Sequence, residues 1–159
     1  MFCIPSLTRT VPLNYVLMFA FTFAEAYVVS FVCAAVYQPQ IVIAAAFLTA
    51  MLVLGLTFYA FYTDSDFTTM GALAFILGAL FIGFGLLSYF FGPTMRFVYC
   101  AIGVFLFGFY LVIDTQMIMG DKKYRLQGDD YILGAIILYM DIINIFLYLV
   151  QILAQMFGV

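Results

Sequence analysis

The 159-residue chain is 68% hydrophobic and 8% charged, with a mean hydropathy of +1.22, which excludes a soluble domain and specifies an all-α integral membrane protein. Its net charge of −3 rests on few groups and forms no basic patch, so nucleic acid is excluded as a partner and the lipid bilayer is the solvent. The absence of histidine removes haem ligation by His, the usual zinc sites and His-based acid/base catalysis, so the chain is not read as an enzyme.

The opening segment MFCIPSLTRTVP lacks the basic start, apolar middle and small-residue cleavage site of a secretory signal, and a first membrane helix can itself serve as the address. Cys33 and Cys100 fall in apolar runs and Cys3 near the start, which makes no disulfide framework. A run of ~20 apolar residues crosses a bilayer. The pattern predicts one membrane domain, a bundle of five such helices over about 12–37, 41–62, 69–91, 93–120 and 130–157.

The first helix is expected to start at Pro12, carry Glu25 near mid-membrane and run through Tyr37 to the Gln38-Pro39 break. The second holds no charge and is expected to pack closely through Ala44, Ala45 and Ala46. The turn from Thr63 to Phe67 carries Asp64 and Asp66, residue types that cap a following helix. In the third helix Ala74 and Gly78 form a small-xxx-small pair, with Gly71 and Gly85 nearby, which permits close helix contact. The fourth begins at the Gly92-Pro93 break, with Arg96 in its first turns, and runs to Gly120. The fifth begins near Asp129 or Asp130, acidic groups suited to a helix N-terminus, and both last helices are long enough to tilt.

Five spans put Arg9, Lys122, Lys123 and Arg125 on one side and Arg96 on the other, so the first side is cytoplasmic, or matrix in a mitochondrial membrane. Tyr37, Tyr62, Tyr89, Tyr99, Tyr124 and Tyr131 near the helix ends fit an interfacial belt. The charged residues of the last loop read as solvated loop chemistry.

Asp114 and Asp141, one in each of the last two helices, stand out, with Glu25 as a third intramembrane acid. A charge at a helix centre costs ~2.5–3.5 kcal/mol, so such acids face the bundle or water. No Lys, Arg or His lies inside a span as partner, so some of the three must be neutral or share a proton. Helical rise puts Asp114 ~9 Å and Asp141 ~16 Å from the inner ends of their helices, an offset of ~7 Å that tilt and side-chain reach can close. Adjacent carboxyls titrate as a unit: they hold together on one shared proton and repel when both are ionised. The pair is therefore a candidate pH-dependent latch and, doubly ionised, an oxygen site for transient Ca²⁺, with no permanent cofactor implied. Asp141, Asn144, Tyr148, Gln151 and Gln155 recur at helical spacing, and Tyr110 stands one turn from Asp114. Such a stripe either lines a path or joins helices by hydrogen bonds. An aspartyl dyad raises intramembrane hydrolysis, but the G-x-G-D context is absent at both aspartates.

The run VIDTQMIMGDKKYRLQGDDYILGAIILYMDIINIFLYLVQIL resembles the C-terminal signature of the transmembrane BAX inhibitor motif family, in its Lifeguard branch. The shared elements are D-T-Q, a G-x-K loop, an acidic-Tyr helix start and Y-x-D-I-I-N-x-F-L-Y. The likeness extends more weakly to Asp66-Phe67-Thr68 and to FTFAEA around Glu25. The resemblance implies the last five helices of a seven-helix fold, a member shortened at its N-terminus, and a function in Ca²⁺ and cell-death modulation, in some members as a pH-sensitive leak. It maps the family's paired aspartates onto Asp114 and Asp141. The family's first two helices, and the basic residue that its pH-gated members use from the second, have no counterpart here. Two expectations follow: a Ca²⁺ leak completed by homo-oligomerisation or other membrane subunits, or a non-conducting structural subunit of a larger complex. The membrane is then endomembrane (ER or Golgi) or the mitochondrial inner membrane.

Overall fold

Hydropathy alone sets the architecture. The computed structural model describes residues 9–36 and 38–158, apart from the side chains of residues 89 and 129. Among these, five long helices form: α1 (Leu13–Ala35), α2 (Pro39–Tyr62), α3 (Gly71–Phe90), α4 (Pro93–Met119) and α5 (Tyr131–Met156). Each lies in a segment long and apolar enough to cross a bilayer. At 27 and 26 residues, α4 and α5 are each ~40 Å long, more than the hydrocarbon core requires.

Local chemistry sets the helix ends. α2 begins at Pro39, two residues before the expected Ile41, because proline suits the first helical position, where no N–H is needed. α1 starts after Pro12 and ends at Ala35; the expected end at Tyr37 lies outside the described residues, as do Cys3 and the first residues of the chain. Gly92 (φ 84°) turns the chain into Pro93 and α4, and Gly120 (φ 78°) closes α4 in the left-handed conformation that favours glycine. A 3₁₀ turn over Phe67–Met70 precedes α3, and its cap is Asp66, which accepts from the Thr68 N–H at 3.0 Å.

The antiparallel α4–α5 pair is the centre. α2 packs against both, α3 against α4, and α1 against α5. Leu111, Val112 and Ile113 of α4 and Ile136, Ile145 and Val150 of α5 are buried, whereas Phe19, Phe23 and Phe31 of α1 remain exposed, as a lipid-facing surface allows. The expected alanine contact is narrower than the sequence suggested. Ala45 is buried but Ala44 and Ala46 are exposed, since successive residues lie ~100° apart around a helix and cannot share one contact.

At the end carrying Arg9, the connections are tied together. Gln116, fully buried, accepts from the Phe67 N–H at 2.9 Å and donates to the Ser65 carbonyl at 3.0 Å. Lys122 Nζ donates to the Thr63 and Asp64 carbonyls at 3.1 and 3.2 Å. The Lys123 N–H reaches the Asp66 carboxylate at 3.2 Å, and the Tyr124 N–H reaches Thr68 Oγ1 at 3.3 Å. Asp130 does not cap α5 by its side chain. It takes a bidentate pair from Arg9, Nε to Oδ1 at 2.8 Å and Nη2 to Oδ2 at 2.9 Å, a charge-assisted geometry stronger than a neutral cap. Lys122 and Asp130 are thus structural, while Asp121, Lys123 and Arg125 are exposed as expected of solvated loop groups; the Asp129 side chain lies outside the description.

The tyrosine belt also needs correction. Tyr62 at the end of α2, Tyr124 in the α4–α5 loop and Tyr131 at the start of α5 are exposed, but Tyr99 is drawn between helices by a stacked contact with Phe81 at 4.3 Å. Tyr37 and the Tyr89 side chain lie outside the described residues.

Two outcomes are expected from thermal unfolding in detergent. Gln116→Ala leaves the Phe67 N–H and Ser65 carbonyl without their partner and should cost about 1–3 kcal/mol. The Thr68 hydroxyl, then the Lys123 and Thr68 N–H groups and Lys122, hold the Asp66 carboxyl below its ordinary 3.8 against a desolvation that opposes them. Its contribution is present above pH 3.8 and is lost as pH falls through the lowered folded value. The melting difference between the wild type and Asp66→Asn should therefore be full at neutral pH and narrow on acidification; a constant difference contradicts this.

Candidate functional site: a carboxyl pair in the α4–α5 seam

Antiparallel pairing places residue 114 of α4 opposite residue 141 of α5. The two aspartate side chains come within hydrogen-bonding range of each other, so tilt and side-chain reach close the ~7 Å offset expected from helical rise. Asp141 is 4% exposed, and Asp114 lies between the buried Ile113 and Thr115. Among the described residues, Asp141 Oδ2 is a buried side-chain oxygen with no hydrogen-bond partner. An oxygen so placed can take a proton, a water or a cation.

Tyr110 lies within electrostatic reach of both carboxyls but directs its hydroxyl to α3. It donates to the Ala74 carbonyl at 2.6 Å, and a Cβ at Gly78 would run into the same hydroxyl. The Ala74 and Gly78 pair therefore admits a tyrosine from α4, which is how α3 reaches the site. Glu25 is not brought to the pair; it is half-buried on α1 within electrostatic reach of Tyr139.

The expected polar stripe of α5 divides into unlike parts. Asn144 turns back on its own helix, donating to the Met140 carbonyl at 2.8 Å. Tyr148 packs among Phe81, Tyr99 and Phe107, and its hydroxyl lies 3.4 Å from that of Tyr99. Gln151 donates to the Leu147 carbonyl at 3.2 Å and faces the Cys100 thiol at 3.7 Å. Gln155 lies farther out, beside Pro93, Thr94 and Phe97. The reason is helical: i+3 and i+4 spacing wraps slowly around the axis, so a long stripe cannot face one neighbour throughout.

Among the described residues, no group of three or more His, Cys, Asp or Glu forms a metal-holding cluster. Asp114 and Asp141 could supply two carboxylates of the about six to eight oxygens that Ca²⁺ takes, the rest coming from water or carbonyls. An apolar groove of about 420 Å³ between α2 and α4, lined in part by Leu52, Leu56, Phe105 and Phe109, does not include the pair.

The sequence matches, over residues 1–158, the family described as Bax1-I, inhibitor of apoptosis-promoting Bax1. The chain belongs to this family. It is 32% identical to human protein lifeguard 3 over 158 residues, 96% of this chain and 50% of that protein. Identity to mouse protein lifeguard 4 is 38% over 146 residues, 91% of this chain and 59% of the relative. Mouse protein lifeguard 3 is 30% identical, over 96% of this chain and 51% of that protein. The chain thus spans about half the length of the lifeguard 3 relatives. No solved structure matches it significantly.

In this Bax1-I chain, the signature read from the sequence gains a structural division of labour. Of the D-T-Q run, Asp114 joins the pair while Gln116, not singled out as a site residue, anchors the turn before α3. Its signal was its place in an otherwise apolar helix end: a buried amide must find partners.

Gly78→Ala should displace the Tyr110 hydroxyl from Ala74 and destabilise the protein by about 1–3 kcal/mol in detergent melts. In a Tyr110→Phe background the same glycine change should cost much less. Equal costs in both backgrounds contradict the coupling.

Proposed function

We propose that this BAX-inhibitor-family membrane protein is a pH-sensitive Ca²⁺ leak, gated by a proton shared between Asp114 and Asp141. The observation that carries the reading is the contact of two carboxyls with a buried, unpartnered Asp141 Oδ2 beside it. Carboxyls hydrogen-bond each other only when one bears a proton, and in that state the pair clips α4 to α5. Loss of the proton leaves two like charges in contact. The helices then part, and the exposed oxygens become a weak, hydrated site for the passing cation. Tyr110 is the further titratable side chain in electrostatic reach of both acids, and its hydroxyl is committed to Ala74, so the pair itself carries the switch. An endomembrane store or the mitochondrial inner membrane would supply the gradient, and homo-oligomers or other membrane subunits would complete an enclosing path.

The test is the purified chain in liposomes with an internal Ca²⁺ dye. Wild-type flux should rise with pH. Asp114→Asn and Asp141→Asn keep a hydrogen-bonded contact that cannot become doubly charged, so each should hold flux low and nearly independent of pH. Folded wild-type protein that passes no Ca²⁺ at any pH sinks the leak reading and leaves the chain a non-conducting structural subunit of a membrane complex.

A further inference from the structure

We infer that Phe81, Tyr99, Phe107 and Tyr148 form an aromatic plug across the α4–α5 seam, sealing the carboxyl pair from the opposite side of the membrane. The seam is layered. Asp114 and Asp141 make one polar level, and the Cys100–Gln151 contact at 3.7 Å makes another. Seven residues of α5 put Tyr148 ~10 Å beyond Asp141, and Gln151 lies ~4.5 Å farther on. Between the two polar levels the seam is apolar and aromatic: Ile145 is fully buried, and Tyr148 packs against the other three rings.

Three helices supply the rings, α3 giving Phe81, α4 giving Tyr99 and Phe107, and α5 giving Tyr148. Phe81 and Tyr99 stack at 4.3 Å with 9° between their planes, and Tyr148 meets both edge-on at 5.7 Å. Phe107 closes on Tyr148 at 5.8 Å. Tyr148 can lie across the seam because position 103 is glycine; a Cβ there would come 2.7 Å from its ring. The two tyrosine hydroxyls face each other, leaving little for a hydrated ion to bind. A hydrophobic constriction of this kind blocks ions by excluding their water, so parting the carboxyls would not by itself open a path. The ring of Tyr148, rather than its hydroxyl, is the closing part.

The plug's role in conduction rests on the leak reading, but its seal can be tested without flux. Ile145 is fully buried between Asp141 and Tyr148, so a cysteine at that position reports water that has passed the rings. In full-length protein carrying Cys3→Ser, Cys33→Ser, Cys100→Ser and Ile145→Cys, in nanodiscs, a charged thiol reagent should leave position 145 unmodified. Tyr148→Ala should raise the labelling rate roughly tenfold or more through local opening, while Tyr148→Phe stays protected. Phe81→Ala, on the peripheral helix α3, should also raise labelling and serves if Tyr148→Ala is not monodisperse. Fast labelling of the parent protein, or protection in both alanine variants, overturns the plug; equal labelling of Tyr148→Phe and Tyr148→Ala overturns the assignment to the ring. In liposomes Tyr148→Ala should also increase Ca²⁺ leak. Absence of leak in every variant with the labelling pattern intact removes the leak reading and retains the seal.

Discussion

Two carboxyls touching inside a membrane place a strict demand on the helices that carry them. Each acid, left charged in hydrocarbon, costs ~2.5–3.5 kcal/mol, and no Lys, Arg or His acts on either of them to offset that cost. Facing each other, Asp114 and Asp141 become mutual partners, and the α4–α5 pair becomes the axis on which the other helices pack. In a bilayer the hydrophobic effect does not drive helices together, so polar contacts and close fits decide which faces meet. The exposed phenylalanines of α1 and the buried Asp141 are two results of the same solvent.

Fixed structure stands at both ends of the pair. On the loop side, Gln116 is two residues from Asp114 and binds the turn before α3, while Lys122, Lys123 and Asp66 fasten the α4–α5 loop to that turn. The last turn of α4 therefore cannot shift independently of α3. On the far side, the aromatic layer over Gly103 holds the two helices in register. A carboxyl contact framed this way has few arrangements available, which is the condition for a two-state element rather than a gradual one.

Much of this was legible in the sequence. Long apolar runs with Pro and Gly between them have one solution in lipid, so the five helices follow from hydropathy. Two lone aspartates in sequential helices likewise required a common explanation, and D-T-Q with D-I-I-N carried the family. What was not legible depends on partners far along the chain. Gln116 answers to residues 49 and 51 positions away, and Asp130 to Arg9 at a separation of 121. Periodicity identified a polar stripe on α5 but not that Asn144 would bond its own backbone while Tyr148 joined an aromatic cluster. Tyr99 shows the same limit: a residue near a helix end can face lipid headgroups or a neighbouring ring, and local sequence does not choose between them.

The shared proton is the point on which the functional reading turns, and infrared spectroscopy observes it directly. In membranes containing the protein, with aspartate carboxyls isotopically labelled, a protonated carboxyl band should be present at low pH and vanish as pH rises, in step with the onset of leak. Asp141→Asn should remove that band, leaving its partner ionised. A band that is absent throughout the wild-type titration, or one that survives unchanged in both Asp114→Asn and Asp141→Asn, would contradict a proton held between these two residues.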